Sequence, residues 1–550
     1  MQGTEYDPIF SKEEVEILAE YVSDPSADIF VFLPSLYGVG GAVFARYSRA
    51  AGGARVRLLK EFLDEKGKLK LDKLNELVER VLIAYGDDSV GELENAHLAL
   101  ENVSNLATKE IEDCRIGLSP IEQSSRYVVY DQRDRQGRLR YLRPVEVVEA
   151  GLLSEYETTL DYVLETYIQL IQPMSEYFKR LKPENEAEYA VRAGDSKAYK
   201  LQELDNDKER RAWSVTYKTD IKTKTCDTLR GLLPAATLTN VGISGNGRGY
   251  QNMLTKLKSH DLVEFQDLGD RAKGALSVVI ENYVKRGNVN FYLRTVNEKM
   301  EEIAHRYLGH IESVSRERVE LFYGGNWNFE SMAIAHILYP FSCLSLGELY
   351  DFSQLLTFNQ KKAIMEAYCQ HKDVRGNRRN KPGRGLEFGY PITFDFVGDF
   401  GIYRDLERQR MLTQQRQLLN PYLGYVTPEE VIEAGLGKQF RTCVERSYHL
   451  YDKLLVSVGK KVAQYAVLFL FNIRWYMGMN HREAFHLMEL RTIPQGHPSY
   501  RKLIQKAHRL LCEQDLLIAP LMEFVDYNDY FWSRAESEAA QRRKENRIVS

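Results

Sequence analysis

Polar residues of the types that bind phosphates and sugars follow one another closely near residue 124. Glu122, Ser124 and Arg126 alternate along the chain, and Tyr127 comes next. In an extended segment, alternate side chains lie on the same side of the backbone. The three side chains together would then suit a phosphate, a hydroxyl-rich sugar or the polar edge of a base. A helix C-terminus closed by a salt bridge is the alternative interpretation.

A second candidate group lies in the glycine-rich stretch GISGNGRGY. Asn246 and Arg248 stand where this stretch gives way to a helical pattern. The free backbone N–H groups of a helix N-terminus beside an arginine form a natural anion site. A plain loop between two packed helices is the alternative. An earlier glycine cluster, GVGGAV at 38–43, lacks both the third glycine of a dinucleotide fingerprint and GK[ST], so it predicts no phosphate loop.

The stretch from residue 89 to 127 must position the first group. Its apolar residues recur every three or four positions, which predicts an amphipathic helix. These residues are Leu93, Ala96, Leu100, Val103, Ala107 and Ile111. Gly117 and Pro120 then predict a turn.

The same pattern analysis predicts the neighbouring elements. Gln136-Gly137 predicts a β-hairpin, and helices are expected over 146–182 and from 213 to Pro234. In the second half, FGYPITFDFVGDFG predicts a strand and IYRDLERQRMLTQQRQLL predicts a helix. Asn480 and Arg482 are expected at a loop-to-helix junction.

Length and composition set broad limits on the protein. A chain of 550 residues predicts at least two domains, and 44% hydrophobic with 28% charged residues is typical of soluble globular proteins. The net charge of −4 argues neither for nor against a nucleic-acid partner. Six scattered cysteines without a CxxC pair indicate reduced thiols and no metal site. No signal peptide or membrane span is predicted, so a cytoplasmic protein is expected.

The two halves of the chain share an order of features. GNGRGYQNMLTKLKSH in the first half matches MNHREAFHLMELRTIP in the second, so that Asn246 and Arg248 correspond to Asn480 and Arg482. This pattern indicates a diverged tandem duplication. We therefore predict the following domains: a first over 1–290 with a charged insertion near 183–212, a second over 315–534, and a charged, frayed tail over 535–550.

The motifs resemble those of the flavin-dependent thymidylate synthases. The family signature is an Arg-His-Arg helix end followed by Ser, Asn-Glu, Ser and Arg-Tyr. The first half matches its later part and a second family region; the residues are Ser119, Glu122, Ser124, Arg126, Tyr127, Arg230, Leu233-Pro234 and Gly245-Asn246-x-Arg248. The second half instead nearly restores the first triplet as Arg408-Gln409-Arg410, with Thr413 in place of the first Ser.

The resemblance implies a fold class and a reaction. The fold would be α+β and helix-rich, with two tandem domains that each contain a mixed sheet flanked by helices. The reaction would be reductive methylation of dUMP to dTMP, with methylenetetrahydrofolate, NADPH and reduced FAD. The chain would then be a methyltransferase, and a homodimer of fused chains would be equivalent to the family tetramer.

The resemblance also implies roles for particular residues, taken from both halves. The implied catalytic residues are Arg126, Arg248 and Arg482. The implied substrate-binding residues are Glu122, Ser124, Arg126, Arg248 and Arg501. The implied cofactor-binding residues are Ser119, Glu122, Arg115, Arg408, Arg410, Asn246 and Asn480.

Two alternative functions stay open on the sequence. One is a catalytically degenerate nucleotide-binding or scaffolding protein that has kept the fold. The other is a flavoenzyme that acts on another pyrimidine, within a nucleic acid for example. The basic loop HKDVRGNRRNKPGRG motivates the second alternative, although such a loop is also typical of a solvated surface.

Overall fold

The computed structural model describes residues 2–3, 8–50, 52–80, 88–325 and 327–548. The chain forms two compact units. The smaller unit consists of Met1–Val103, Ala107–Glu122 and Thr239–Phe291, and the larger unit of Ser104–Leu106, Gln123–Leu238 and Tyr292–Ser550. The compact units therefore do not coincide with the predicted domains, because residues 123–238 of the first half belong to the larger unit. The boundaries of the duplicated domains stay a prediction.

Helices dominate the described part of the chain. In chain order they are α1 Lys12–Leu18, α2 Gly40–Tyr47, α3 Ala54–Arg57, α4 Leu71–Glu79, α5 Asn105–Glu112, α6 Val145–Glu149, α7 Leu153–Leu181, α8 Asp207–Leu229, α9 Gly247–Lys258, α10 Val263–Val284, α11 Phe291–Leu308, α12 Phe329–Leu338, α13 Leu346–Leu355, α14 Phe358–Cys369, α15 Lys372–Arg375, α16 Phe400–Leu406, α17 Glu429–Glu433, α18 Gly437–Val458, α19 Lys460–Ala463, α20 His481–Thr492, α21 Pro498–Gln514 and α22 Ala535–Ile548. Across the described ranges, none of them has both the length and the apolar character needed to cross a membrane.

The strands form small, separate sheets. They are β1 Gln2–Gly3, β2 Pro8–Ile9, β3 Asn95–Ser104, β4 Leu118–Glu122, β5 Leu238–Asn246, β6 Val319–Tyr323, β7 Ile392–Asp399, β8 Thr413–Arg416 and β9 Asn472–Met479. The strand order is β3-β5-β4 in one sheet and β6-β7-β9-β8 in another. This arrangement confirms the α+β class.

The sheets differ from the expected mixed type. In the four-stranded sheet β6 pairs with β7, β7 with β9 and β8 with β9, and each pairing is antiparallel. β4 and β5 of the three-stranded sheet are also antiparallel. The central strands β7 and β9 are buried along nearly their whole length, which fits their mainly apolar sequences. Their charged residues Asp395 and Arg474 form a buried ion pair with each other.

The predicted amphipathic helix around residue 100 is wrong for most of its length. Residues 95–104 form strand β3, in which Leu98 and Leu100 are buried and their neighbours are exposed. The apolar spacing there fits a period of two as well as one of four, and strand pairing decides between them. Residues 88–92 form a 3-10 helix, and only the end of the predicted helix is α-helical, as α5. β4 ends at Glu122, so the extended segment stops before Ser124 and Arg126.

Other local predictions have mixed outcomes. The hairpin is confirmed by a bridge between Arg133 and Leu139 around Gly137, and α6, α7 and α8 match the predicted helices. The predicted helix after β7 ends at Leu406, and its residues 413–416 instead pair with β9 as β8. The stretch predicted to be a frayed tail is helical, and this helix (α22) packs on α8.

A local two-fold relation joins the halves within the larger unit. Residues 231–236 and 465–470 pair in antiparallel fashion around a bridge between Pro234 and Leu468. The N–H of Ala235 donates to Val467 O, and the N–H of Phe469 donates to Leu233 O. The two bonds are related by an offset of 234 residues. Ala235 in the first half corresponds to Phe469 in the second, and Leu233 corresponds to Val467. The same offset relates α9 to α20 and the short 3-10 helices Arg230–Leu232 and Gln464–Ala466. This offset supports the tandem duplication.

Candidate functional site

Arg126 forms the first part of a charged cluster inside the larger unit. It follows a turn in which the hydroxyl of Ser124 accepts a hydrogen bond from the Arg126 N–H at 3.2 Å. The guanidinium binds Asp227 of α8 through two bonds, Nε to Oδ1 at 2.7 Å and Nη2 to Oδ2 at 2.5 Å. Its third nitrogen donates to the carbonyl of Gln495. This two-pronged geometry fixes the orientation of the guanidinium plane.

Residues of the second half complete the cluster. Asp405 of α16 lies 3.2 Å from the guanidinium of Arg230 and 3.8 Å from that of Arg408. Arg404, on the same helix, donates to the hydroxyl of Ser125 at 3.1 Å and stacks over the ring of Phe469. The signature segments of the two halves therefore meet in one cluster.

A second layer of polar side chains extends the cluster. Gln409 is buried, and in the amide orientation that satisfies its neighbours its oxygen accepts two bonds of 2.9 Å from Arg491. His497 caps the N-terminus of α21, because its Nδ1 accepts from the Ser499 N–H. Its Nε2 lies 3.5 Å from the carbonyl oxygen of Asp227.

A cavity of about 530 Å³ adjoins the cluster. Asp227, Arg230 and His497 line it on the cluster side. Its other cationic side chains are Lys224, Arg318, Lys502 and Lys506, and its other carboxylates are Asp399, Glu429 and Glu430. This volume lies within the range of about 300–1,000 Å³ that is typical of small-molecule sites. A cavity with this number of cations suits a ligand that carries phosphate.

The charges in and around the cavity shift several pKa values. Burial would raise the pKa of Asp227, but the charge of Arg126 and its hydrogen bonds lower it to about 2. Burial likewise opposes ionisation of Asp405, yet Arg230 and Arg408 hold its pKa well below the usual value. Burial lowers the pKa of His497 to about 3, and the charge of Arg230 contributes to this shift. At neutral pH the cluster thus contains ionised aspartates and a neutral histidine.

Asp399 differs from these two aspartates. Burial raises its pKa to about 6, although Arg230 partly opposes that shift. Its carboxylate caps α16 by accepting from the N–H of Ile402 at 2.9 Å. The N-terminus of α16 is therefore already satisfied by a side chain of the protein.

Several predicted site residues lie in the smaller unit. Arg248 follows the helix cap Asn246 and pairs with Glu92 across 2.5 Å, at an exposed position. Glu122 is buried and forms an ion pair with Lys109, which also contacts Glu112. The remaining two are Arg115, which is buried 3.8 Å from Asp113, and Ser119, which is exposed.

The other predicted residues lie in the larger unit. Asn480 caps α20 and Arg482 is exposed in its first turn, as predicted for a loop-to-helix junction. Arg410 is exposed next to Gln409. Arg501 is buried and donates to the carbonyl oxygens of Thr492, Asn528 and Asp526, so its bonds hold the backbone.

Sequence reasoning missed several residues of the cluster. Asp227, Asp405, Arg491 and His497 were not proposed, because nothing in their local patterns distinguishes them from residues of a solvated helix. A weak signal existed for Asp227, which stands three positions before Arg230 and so lies on the same helical face.

The backbone N–H groups of the glycine turn at residues 38–41 bind a side-chain carboxylate of the protein itself, that of Glu94. The N–H of Gly41 donates to Glu94 Oε2 at 3.1 Å, and Gly38 and Gly40 also donate to this carboxylate. Burial raises the pKa of Glu94 despite these bonds. The absence of a phosphate-loop motif in the sequence agrees with this use of the turn.

Comparison with known proteins places the chain in a family. A profile of the family described as thymidylate synthase complementing protein matches residues 42–280 and 380–515. A protein of Chlamydia pneumoniae is 36% identical over 96% of this chain and 97% of its own length. A protein of Chlamydia muridarum is 36% identical over 97% and 98%, and one of Thermoplasma acidophilum is 28% identical over 90% and 97%. All three are named only as UPF0159 proteins. With a profile match in each half, this chain belongs to the thymidylate synthase complementing proteins, the flavin-dependent thymidylate synthase family, as a diverged tandem duplication.

Proposed function

We propose that this protein binds a pyrimidine nucleotide in the cavity of the larger unit and methylates dUMP reductively to dTMP. The observation that carries the proposal is the cluster of Arg126, Arg230, Arg404 and Arg408 beside that cavity. Both halves contribute to it, and each contributes from its family motif. The proposal includes substrate-binding and catalytic roles for Arg126 and a cofactor-binding role for Arg408.

The chemistry of the cluster suits a nucleotide and its methylation. Arginines neutralise the dianionic phosphate and stabilise negative charge that develops on the pyrimidine ring. None of the described residues that line the cavity is a cysteine. Nearby in sequence, burial raises the pKa of Cys226 to about 12, which disfavours its thiolate. These facts support a reaction without a cysteine nucleophile.

The residues of the cavity also fit the phosphates of a flavin cofactor. Arg318 and Lys502 line the cavity, and neither has an ion-pair partner within 4.0 Å among the residues that the structure describes. Arg318 and Lys502 would hold the phosphates, and bound FAD would supply the hydride. NADPH and methylenetetrahydrofolate are proposed as the co-substrates.

An absorbance spectrum and a turnover assay test the proposal. Purified protein, after reconstitution with FAD, is expected to show a flavin spectrum and to convert dUMP to dTMP with NADPH and methylenetetrahydrofolate. A preparation that binds neither flavin nor dUMP would overturn it. We also propose a homodimer, equivalent to the family tetramer, which light scattering coupled to gel filtration would reveal by its mass.

A non-catalytic nucleotide-binding protein is the second candidate. The observation that favours it is that Arg126 and Glu122 already have buried partners, Asp227 and Lys109 respectively. Under this alternative dUMP raises the melting temperature, since ligand that binds only the folded state stabilises it, while turnover is absent.

A further inference from the structure

A segment beyond the family match takes part in the cavity. The profile match ends at residue 515, and residues 526–534, which we name the C-terminal strap, connect α21 and its following loop to α22. Phe531 and Ser533 of the strap line the same cavity as Arg230 and Asp227. The wall of the cavity therefore includes residues that lie outside the matched family segments.

Buried polar contacts hold the start of the strap in place. Arg501 donates to the carbonyl oxygen of Asn528 at 2.9 Å and to that of Asp526 at 3.4 Å. Gln505 also donates to the Asp526 carbonyl, at 2.8 Å. The N–H of Asp526 donates in turn to the hydroxyl of Thr492 at 3.0 Å. The strap is thereby tied to α20 and α21, which gives Arg501 a positioning role.

The ring of Phe531 is held by neighbours but stays accessible. Lys224 Nζ lies 3.9 Å from the centroid of the ring, and the rings of Phe178 and Trp532 meet it edge-on at 6.2 and 5.1 Å. Even so, Phe531 is 43% exposed. An apolar ring that is fixed in position, half accessible and part of a cavity wall is suited to stack on a planar ligand.

We propose that Phe531 stacks on the heterocycle of a phosphate-bearing ligand, the pyrimidine nucleotide of the proposed function, and so helps to select ligands with a planar base. The inference rests on that proposed function. The cations of the cavity bind the phosphate, whereas the strap supplies an aromatic surface that recognises the base. Stacking on an aromatic side chain tolerates different bases, because each base has a π face.

Calorimetric titration of two probes separates the two roles. The probes are dUMP and 2-deoxyribose 5-phosphate, which carries the same phosphate without the base. Phe531→Ala is expected to weaken dUMP binding about 10- to 100-fold, the range expected for loss of one base–aromatic stack. The same substitution should leave the affinity for 2-deoxyribose 5-phosphate within about twofold of the wild type. Phe531→Tyr keeps the aromatic face and should restore dUMP binding.

Phe524→Ala is the matched control. Phe524 also lies beyond the family match and is 81% exposed, but it does not line the cavity. Its removal should leave both affinities unchanged, and circular dichroism would verify that all variants are folded. Equal loss of both probes in Phe531→Ala, or no rescue by tyrosine, would overturn the stacking role.

The result also distinguishes this inference from the function on which it rests. If the wild-type protein binds dUMP and Phe531→Ala binds it equally well, the stacking role is wrong and the proposed function stands. If the wild-type protein does not bind dUMP, the proposed function fails and the inference fails with it.

Discussion

Arg230 and Asp405 lie 3.2 Å apart although they come from different halves of the chain. The side chain of Arg230 is 5% exposed and that of Asp405 is 16% exposed, so the pair is largely shielded from water. Arg408 approaches the other oxygen of the same carboxylate. Neither half contains this arrangement by itself, which means that the cluster is a property of the fused chain.

Asp405→Asn should destabilise the larger unit. The substitution removes the charge that compensates two arginines, and breaking a largely buried ion pair costs on the order of 3 kcal/mol. Urea denaturation would measure the change in the free energy of unfolding. Glu155→Gln, which removes an exposed pair with Lys453, is the control, and it should cost less than ~1 kcal/mol. Equal effects of the two substitutions would contradict the structural role of Asp405.

Arg126→Lys should impair nucleotide turnover while keeping the charge. Lysine presents a single ammonium and cannot reproduce the two-pronged contact with Asp227, so the cluster loses its fixed geometry. A loss of about 10²-fold in kcat/KM for dUMP is expected, which a tritium-release assay would measure. Arg138→Gln, at a position where the side chain is 53% exposed, should behave as the wild type. Wild-type activity of Arg126→Lys would exclude Arg126 from the site.

Because of His497, the free energy of unfolding should be lower at mildly acidic pH than at neutral pH. The unfolded histidine binds a proton near pH 6.5, whereas burial keeps the folded one neutral down to a pKa of about 3. The unfolded state therefore binds more protons between these values, and stability falls as pH falls, by up to about 1.4 kcal/mol per pH unit. Urea denaturation at pH 7 and pH 5 would measure the slope. The slope should shrink in His497→Gln and persist when the exposed His371 is replaced by Gln.

Gly41→Ala should destabilise the smaller unit. A Cβ atom there would lie 2.6 Å from the hydroxyl oxygen of Tyr283 and 3.2 Å from the backbone of Leu93, so the buried turn around Glu94 would have to move. A cost of about 1–3 kcal/mol is expected for such overpacking. Gly274→Ala in α10 meets no atom within 4 Å and should instead stabilise by up to about 1 kcal/mol. Denaturation followed by circular dichroism would show whether the two substitutions act in opposite directions.

Local sequence patterns were sufficient to predict those elements that one strong local feature determines. Asn246 and Asn480 cap the helices that their spacing predicted, and Gly137 turns the predicted hairpin. β7 forms from a mainly apolar run that includes the buried Asp395. The local structure at these positions does not depend on contacts with distant residues. It follows from side-chain capping, from a glycine in the left-handed region, or from burial on both faces of a strand.

Long-range pairing decided the elements that the sequence did not predict. Residues 95–104 and 413–416 carry patterns that fit a helix, yet both become strands because partner strands are available. The charged cluster likewise depends on residues far apart, such as Arg126 and Asp227, which are separated by 101 positions. The spacing of motifs within each half contains no information about such contacts.

The antiparallel pairing of residues 231–236 with 465–470 has an evolutionary consequence. In a dimer of identical chains, every substitution at a two-fold contact occurs in both copies, so neither copy can lose a residue that the other requires. Fusion removes that constraint, because each copy then has its own codons. With Ser119 matched to Thr413, the first half keeps Arg126 where the second has Asn420, and the second keeps Arg408 where the first has Cys114. After a gene fusion, one composite site formed by both halves can therefore replace two formerly equivalent sites.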